Sequence, residues 1–396
     1  MSEVSITQRL RQRRIRHGAA AYDRSLLLTA LALMLIGMLM VSSASVMEAG
    51  IHQHDAWFFL KRHALSLLPA LLILIICAAV PTTVQERASI AMMLTVIALL
   101  IAVLIVGRRI NGATRWLNLG IFNLQPGELL KYCWIVYFAS YTSRKLDEVR
   151  LFMGFIKPLL FIGAISVLLL FQPDTGTLVV TALLTLGILW MAGARLLMYI
   201  GALGVIGLCV SIITIISPYR MERISSFLDP WQDEFGSGYQ LTQSLMAFGR
   251  GGLTGQGLGN SIQKLGYLPE AHTDFIISIL GEEFGFVGMC LVIALEFFLI
   301  CRALALGFRI LRRAPLWQGY CACGIALWFC MQTVINIGAA SGLLPTKGLT
   351  LPFISFGGSS LLVCCAALGT LLRIDFEWRR GLIGPPPVAA ELQTGS

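Results

Sequence analysis

Apolar residues run through this chain in ten long stretches, at 25–46, 64–81, 88–107, 126–143, 155–171, 177–193, 196–217, 274–301, 318–341 and 354–373. A helix needs roughly 20 apolar residues to cross about 30 Å of hydrocarbon. The pattern therefore predicts an all-α polytopic membrane protein of about ten transmembrane helices. The stretches at 64–81 and 126–143 depart most from a plain span, being short or carrying charges. Polar segments between them are brief except one, 218–272, which mixes aromatic residues, acids, amides and glycines. A loop of that length usually carries function. Within it Leu241, Leu245 and Phe248 share one helical face beside Gln243 and Ser244, which predicts a short amphipathic helix lying on the membrane.

Composition agrees with the pattern. Of 396 residues, 57% are hydrophobic and 13% charged, with mean hydropathy +0.78. The net charge of +9 follows the positive-inside rule, and no basic stripe interleaved with exposed aromatics marks a nucleic-acid partner. Taking the N-terminus as internal, the inner segments hold 18 Lys and Arg against 10 in the outer ones. That bias places both termini in the cytoplasm and the 218–272 loop outside. The organisation expected is a basic tail over 1–24, a transmembrane domain over 25–375 and a second cytoplasmic tail over 376–396. Six arginines precede the first apolar run, which is too long for a signal-peptide core and reads as an uncleaved span. No duplicated half is visible, which weakens a transporter reading.

Ten cysteines lie in or beside apolar runs without C-x-x-C spacing, which argues against disulfides and zinc and for small packing residues. The glycines of GRGGLTGQGLG lack the G-K-[ST] of a phosphate loop, and no G-x-S-x-G elbow is present.

Polar residues inside spans are costly and are functional candidates by default. Asp274, Ser278, Gly281, Glu282 and Gly285 share one helical face at the mouth of the eighth span. Spacing alone leaves Asp274 open between a chemical role and a helix-start acid satisfied by the dipole. Gln125, Glu128 and Lys131 lie in LQPGELLKY, with Glu128 and Lys131 three apart on one face. They are either a structural ion pair or the lining of a wet cavity. Arg115, beside Trp116, reads first as an interfacial anchor. Gln332 and Asn336 are four apart on the ninth span, and Lys347 sits in a proline-bounded turn, either meeting a phosphate or snorkelling. His272 reads as a loop residue.

Taken together, GATRWLNLG, QPGELLK, QPDTGT, YLPEAHTDFI and GLLPTKGLTLPFISFGGSS, in this order, resemble the SEDS family (shape, elongation, division and sporulation) over roughly residues 25–375. EAHTDFI and PTKGLTLP are most similar to its cell-division branch. Gly127 departs from the pattern, since the family often has Ser or Ala before the glutamate.

The resemblance implies the SEDS fold with one large periplasmic loop, in the bacterial inner membrane at the division septum. It implies a peptidoglycan glycosyltransferase that polymerises lipid II, a disaccharide-pentapeptide on undecaprenyl diphosphate. Asp274 corresponds to the family's catalytic acid, and Glu128, Lys131 and Asp174 to its cavity residues. As a base, Asp274 would serve an inverting displacement, with Lys131, Arg115 and Lys347 as cations for the departing diphosphate. A divalent cation, Mg2+ or Mn2+, could share that charge, but no dedicated site for it is written in the sequence. The implied partners are a class B penicillin-binding protein, other division proteins and membrane lipid. The rival readings are a flippase for the same lipid, an elongation-branch transferase and a scaffold for the transpeptidase.

Overall fold

The computed structural model describes residues 22–110, 113–118, 123–314, 316–346 and 348–383. Lys347 and most of both tails lie outside the described residues. In order, the elements are α1 (Arg24–Gln53), α2 (Phe58–Ala79), α3 (Thr82–Val106), β1 (Arg108–Ile110), β2 (Ala113–Asn118) and β3 (Asn123–Leu124). There follow α4 (Pro126–Arg144), the one-turn α5 (Leu146–Val149), α6 (Phe152–Phe171), α7 (Thr175–Met191) and α8 (Leu196–Ile216). The chain closes with α9 (Pro218–Leu228), α10 (Tyr239–Gly251), α11 (Ile276–Leu311), α12 (Trp317–Ala340) and α13 (Gly358–Arg379).

Each of the ten predicted stretches is a helix. Among the described residues, α1, α2, α3, α6, α11, α12 and α13 are long and apolar enough to cross a membrane, while α7 and α8 are shorter apolar helices. In hydrocarbon a helix satisfies every backbone donor and acceptor itself, which is why long apolar runs adopt this one form. The bundle surface is accordingly apolar. On α8, Leu197, Val205, Leu208, Ile215 and Ile216 are all well exposed.

The centre is formed by α4, α12 and α13, whose faces are largely buried. Small residues let helices close on one another. Gly369 of α13 lies so near α2 that a Cβ there would come within 2.4 Å of the Leu74 carbonyl oxygen. All ten cysteines are free, and Cys133, Cys321, Cys323, Cys364 and Cys365 are buried in helices.

Three features depart from the all-α pattern reading. First, a small antiparallel sheet stands between α3 and α4, in the order β1-β2-β3. Arg109 pairs with Thr114, and Leu117 with Leu124, with a bulge between Arg108 and Arg109. Strands this short carry too little periodicity to be read from the chain.

Second, the predicted span at 274–301 is displaced. Helix α11 begins after Asp274, at Ile276, runs to Leu311, and breaks at Gly285 (φ 68°, ψ −166°). Only glycine adopts that conformation readily. Residues before the break are buried in protein, whereas Phe286, Val287, Leu291 and Phe297 after it are exposed. The expected single face from Asp274 to Gly285 is therefore not one continuous helical face.

Third, α10 turns its buried residues Leu241, Thr242, Ser244 and Ala247 to protein. Ser244 Oγ bonds Ser278 Oγ on α11 at 2.6 Å and the Ala340 carbonyl on α12 at 2.6 Å. Phe248 covers Gly281. Neighbouring helices therefore cover the face that its amphipathic pattern would offer to lipid.

Candidate active site

Two helix starts converge at the end of the bundle that carries the long loop. Gln125 precedes α4, with Pro126 at its first position. Its N–H donates to Ser359 Oγ at 3.0 Å, and that hydroxyl donates to the Asn123 carbonyl at 2.9 Å. Asp174 caps α7, accepting from Thr177 N at 3.3 Å and Thr177 Oγ1 at 2.9 Å. Such caps satisfy donors that a helix start leaves unpaired. Gly127 is where α4 meets this cap, and a Cβ there would lie 2.9 Å from Asp174 Oδ2. Arg115, on β2, donates from Nε to the Gln172 carbonyl at 3.3 Å and from an Nη to the Pro173 carbonyl. It straps the sheet to the turn that delivers Asp174.

One turn into α4, Lys131 Nζ lies 2.8 Å from Glu128 Oε1, and both side chains are buried. Lys131 also donates to Gln332 Oε1 at 3.1 Å and lies 5.4 Å from the centre of the Trp328 ring. Trp328 Nε1 donates to the same Gln332 oxygen at 2.6 Å. With its oxygen committed to two donors, Gln332 turns Nε2 to two acceptors, the Thr350 carbonyl at 2.7 Å and Thr350 Oγ1 at 3.0 Å. Thr350 Oγ1 in turn meets Ser360 Oγ at 2.7 Å. A polar ladder thus runs from the ion pair to the segment after Lys347.

The next rung reaches Asp274. Asn336, one turn beyond Gln332 on α12, donates from Nδ2 to the Asp274 carbonyl at 2.9 Å and to the Leu349 carbonyl at 2.6 Å. Gly348 sits against the carboxylate, where a Cβ would be 2.7 Å from Asp274 Oδ2. Asp274 is half-buried in the loop before α11, outside the spanning segment. Burial pushes its carboxyl up to about 7, and the nearby Glu270 carboxylate adds to this, while His272, Arg115 and Arg223 oppose it. Arg223, from α9, donates to the Thr346 carbonyl at 3.3 Å.

The structure therefore brings Arg115 and Asp274 into one electrostatic neighbourhood. It sets Gln125, Glu128 and Asp174 at the converging helix starts, and encloses Lys131 against Glu128. Lys347 lies outside the described residues. Arg223 was missed because it stands 51 positions from Asp274, on the short helix α9 within the long loop, beyond the reach of helical spacing. His272 is a loop residue whose ring packs between Phe59 and Phe356, with Nδ1 3.1 Å from Glu48 Oε2.

Two buried glutamates hold the long loop in place. Glu282 accepts from Arg250 at 2.7 Å, Ile262 N at 2.9 Å, Gln263 N at 3.2 Å and the Ser261 hydroxyl. Glu283 accepts from Lys264 at 2.7 Å and Ser43 at 2.6 Å. At the Gly285 break, Phe286 N and Val287 N donate to the Gly252 and Leu253 carbonyls at 2.9 and 3.1 Å. Gln256 N and Gly257 N donate to the Glu282 and Glu283 carbonyls, both at 2.9 Å. The loop thus supplies the partners that the interrupted helix lacks. Among the described residues, no three His, Cys, Asp or Glu side chains are grouped to hold a metal ion.

Fold and site together define a multi-pass helical membrane protein with a carboxylate and arginine centre built at the loop end of its bundle. The chain belongs to the FtsW/RodA/SpoVE family of cell cycle proteins, whose family model matches residues 23–380. It is 51% identical over 363 residues to the probable peptidoglycan glycosyltransferase FtsW of Aeromonas salmonicida, covering 91% of this chain and 92% of that one. It is 49% identical to the protein of the same name from Escherichia coli O6:H1, over 90% and 87% of the two chains. Among solved structures, it resembles a chain described under structural coordination of polymerization and crosslinking by a peptidoglycan synthase complex. The TM-score there is 0.75 and the identity 27%, over 91% of this chain and 99% of the other. It also resembles the rod shape determining protein RodA of Thermus thermophilus, with TM-score 0.66 and 26% identity over 90% and 97%.

Proposed function

We propose that this protein is a peptidoglycan glycosyltransferase of the division branch, joining lipid II units into glycan strands at the outer face of the bacterial inner membrane. The observation that carries the reading is the Asp274 carboxyl, poised near neutral pH by burial and flanked by Arg115 and Arg223. A general base works best with a pKa near the working pH. Asp274 takes the proton from the acceptor GlcNAc 4-hydroxyl as that oxygen bonds to the donor anomeric carbon. The bond from that carbon to the phosphate oxygen breaks in the same step. Polyprenyl diphosphate leaves with the electron pair, and the α-linked donor becomes a β-linkage. Arg115 and Arg223 stabilise the diphosphate charge as it develops. Lys347 joins them, while Gln125, Glu128 and Asp174 form the wall that holds substrate and Lys131, behind it, holds Glu128 in place. Holding two lipid-anchored substrates in register supplies much of the rate.

The excess of Lys and Arg in the opposite loops puts both termini in the cytoplasm and this centre outside. A class B penicillin-binding protein is the natural crosslinking partner, with other division proteins around it at the septum. The test is polymerisation of purified lipid II by the protein with that partner, comparing wild type with Asp274→Asn and Asp274→Ala. Strands from wild type and none from folded, partner-binding variants support the reading. Normal polymerisation by the variants would overturn the base assignment. Lipid II movement across vesicles without polymer would put a flippase in its place.

A further inference from the structure

Asn336 is 1% exposed, and its single amide nitrogen serves two backbone carbonyls from separate segments. One belongs to Asp274, before α11. The other belongs to Leu349, in the turn after α12. Reversed, the amide would set its oxygen against both carbonyls, so these contacts fix its orientation. One turn earlier, Gln332 holds Thr350 in the same manner. Two successive residues of the turn are thus pinned to α12, and Gly348, the next residue back, presses on Asp274 Oδ2. The carboxylate lies between its own anchored backbone and an anchored turn.

We infer that Asn336 is a positioning residue for the reaction: by holding the Asp274 and Leu349 carbonyls on one amide, it sets where the Asp274 carboxylate stands relative to the turn residues 348–350. The inference rests on the reading of Asp274 as the base. It goes further by placing the control of that base on α12, which holds the Asp274 backbone carbonyl. Losing the amide frees the loop, and the carboxylate gains water. Among the described residues, the charged groups facing it are Glu270 and His272 from its own segment, Arg115 from β2 and Arg223 from α9. Asn336 carries no charge, so its removal leaves that set unchanged. What changes is the exposure of the carboxylate, and solvation returns a buried acid toward its ordinary value.

The test is a pH profile of lipid II polymerisation by the full chain with its transpeptidase partner, for wild type, Asn336→Ala and Asn336→Leu. Asp274→Asn runs in parallel. The Asn336 variants are expected to lose about 10- to 100-fold in kcat with KM within about twofold, since orientation and not binding is lost. Their acid limb moves to lower pH by about one unit. Asn336→Ser, which keeps one donor, recovers part of both. An unmoved acid limb, with activity falling only as folded protein falls, would overturn the inference. Should the Asn336 variants fail to fold, Gly348→Ala displaces the carboxylate from the opposite side of the niche. An unmoved limb there overturns the inference equally. An inactive Asp274→Asn beside Asn336 variants of wild-type profile sinks this inference alone. A fully active Asp274→Asn sinks the base reading and this inference with it.

Discussion

Lys131 and Glu128 form a closed pair 2.8 Å apart at the centre of the bundle, and the lysine has no exposed surface. A buried pair is costly to break from one side, because the remaining charge stays without a partner. Lys131→Met or Glu128→Gln alone is expected to lose about 3–5 kcal/mol of stability, and the double variant much less. A thermal double-mutant cycle in detergent checks this, and additive losses would refute the pairing. A substrate role for Lys131 would appear differently, as lost polymerisation in a double variant that is still stable.

The pH dependence follows from Asp274. Its unfolded value is 3.8 and its folded value about 7, so the folded chain holds a proton there that the unfolded chain releases. Stability from this group is full below about pH 4, declines as pH rises, and is gone above about 7. As a base the group needs the opposite state, so polymerisation should fall about tenfold per pH unit below 7. Asp274→Asn should lower the rate by about 10²- to 10⁴-fold. Its thermal stability relative to wild type should be more favourable at pH 8 than at pH 5. An equal difference at both pH values would contradict the raised carboxyl.

Glu282 anchors the long loop through four hydrogen bonds, one of them to Arg250. Glu282→Gln keeps the shape but turns an NH2 toward donors and removes the charge. The expected cost is about 2–4 kcal/mol. Amide exchange across 252–263 should quicken while the far end of the bundle stays protected. Unchanged protection in the loop would show that its position does not depend on this carboxylate.

Arg115 serves geometry as well as charge, since its guanidinium spans the Gln172 and Pro173 carbonyls. Lysine keeps the charge and loses that planar fork. Arg115→Ala should raise KM for lipid II about tenfold or more, with Arg115→Lys restoring only part of the loss. Steady-state kinetics on both variants decide it. Full rescue by lysine would leave only the electrostatic role.

Much of this architecture was legible from the chain alone. Bilayer thickness sets the length of an apolar run, so the helices 25–46 through 354–373 follow from hydropathy. Glu128 and Lys131 could be paired because three residues along a helix bring side chains together. The same local rule could not reach further. It extended one face from Asp274 to Gly285, although the helix starts later and breaks, because the long loop offers the broken turn its hydrogen-bond partners. Nor could it join Lys131 to Gln332, 201 residues away, or Asn336 to Asp274, 62 residues away. Periodicity reports only neighbours a turn apart. The sequence by itself determined which segments form the apolar helices and which residue types are available for chemistry. Only the tertiary structure decided that Lys131 is enclosed, that Arg223 joins Arg115 near Asp274, and that Asn336 and Gly348 hold that carboxylate from two sides. These contacts exist only once separate helices pack together.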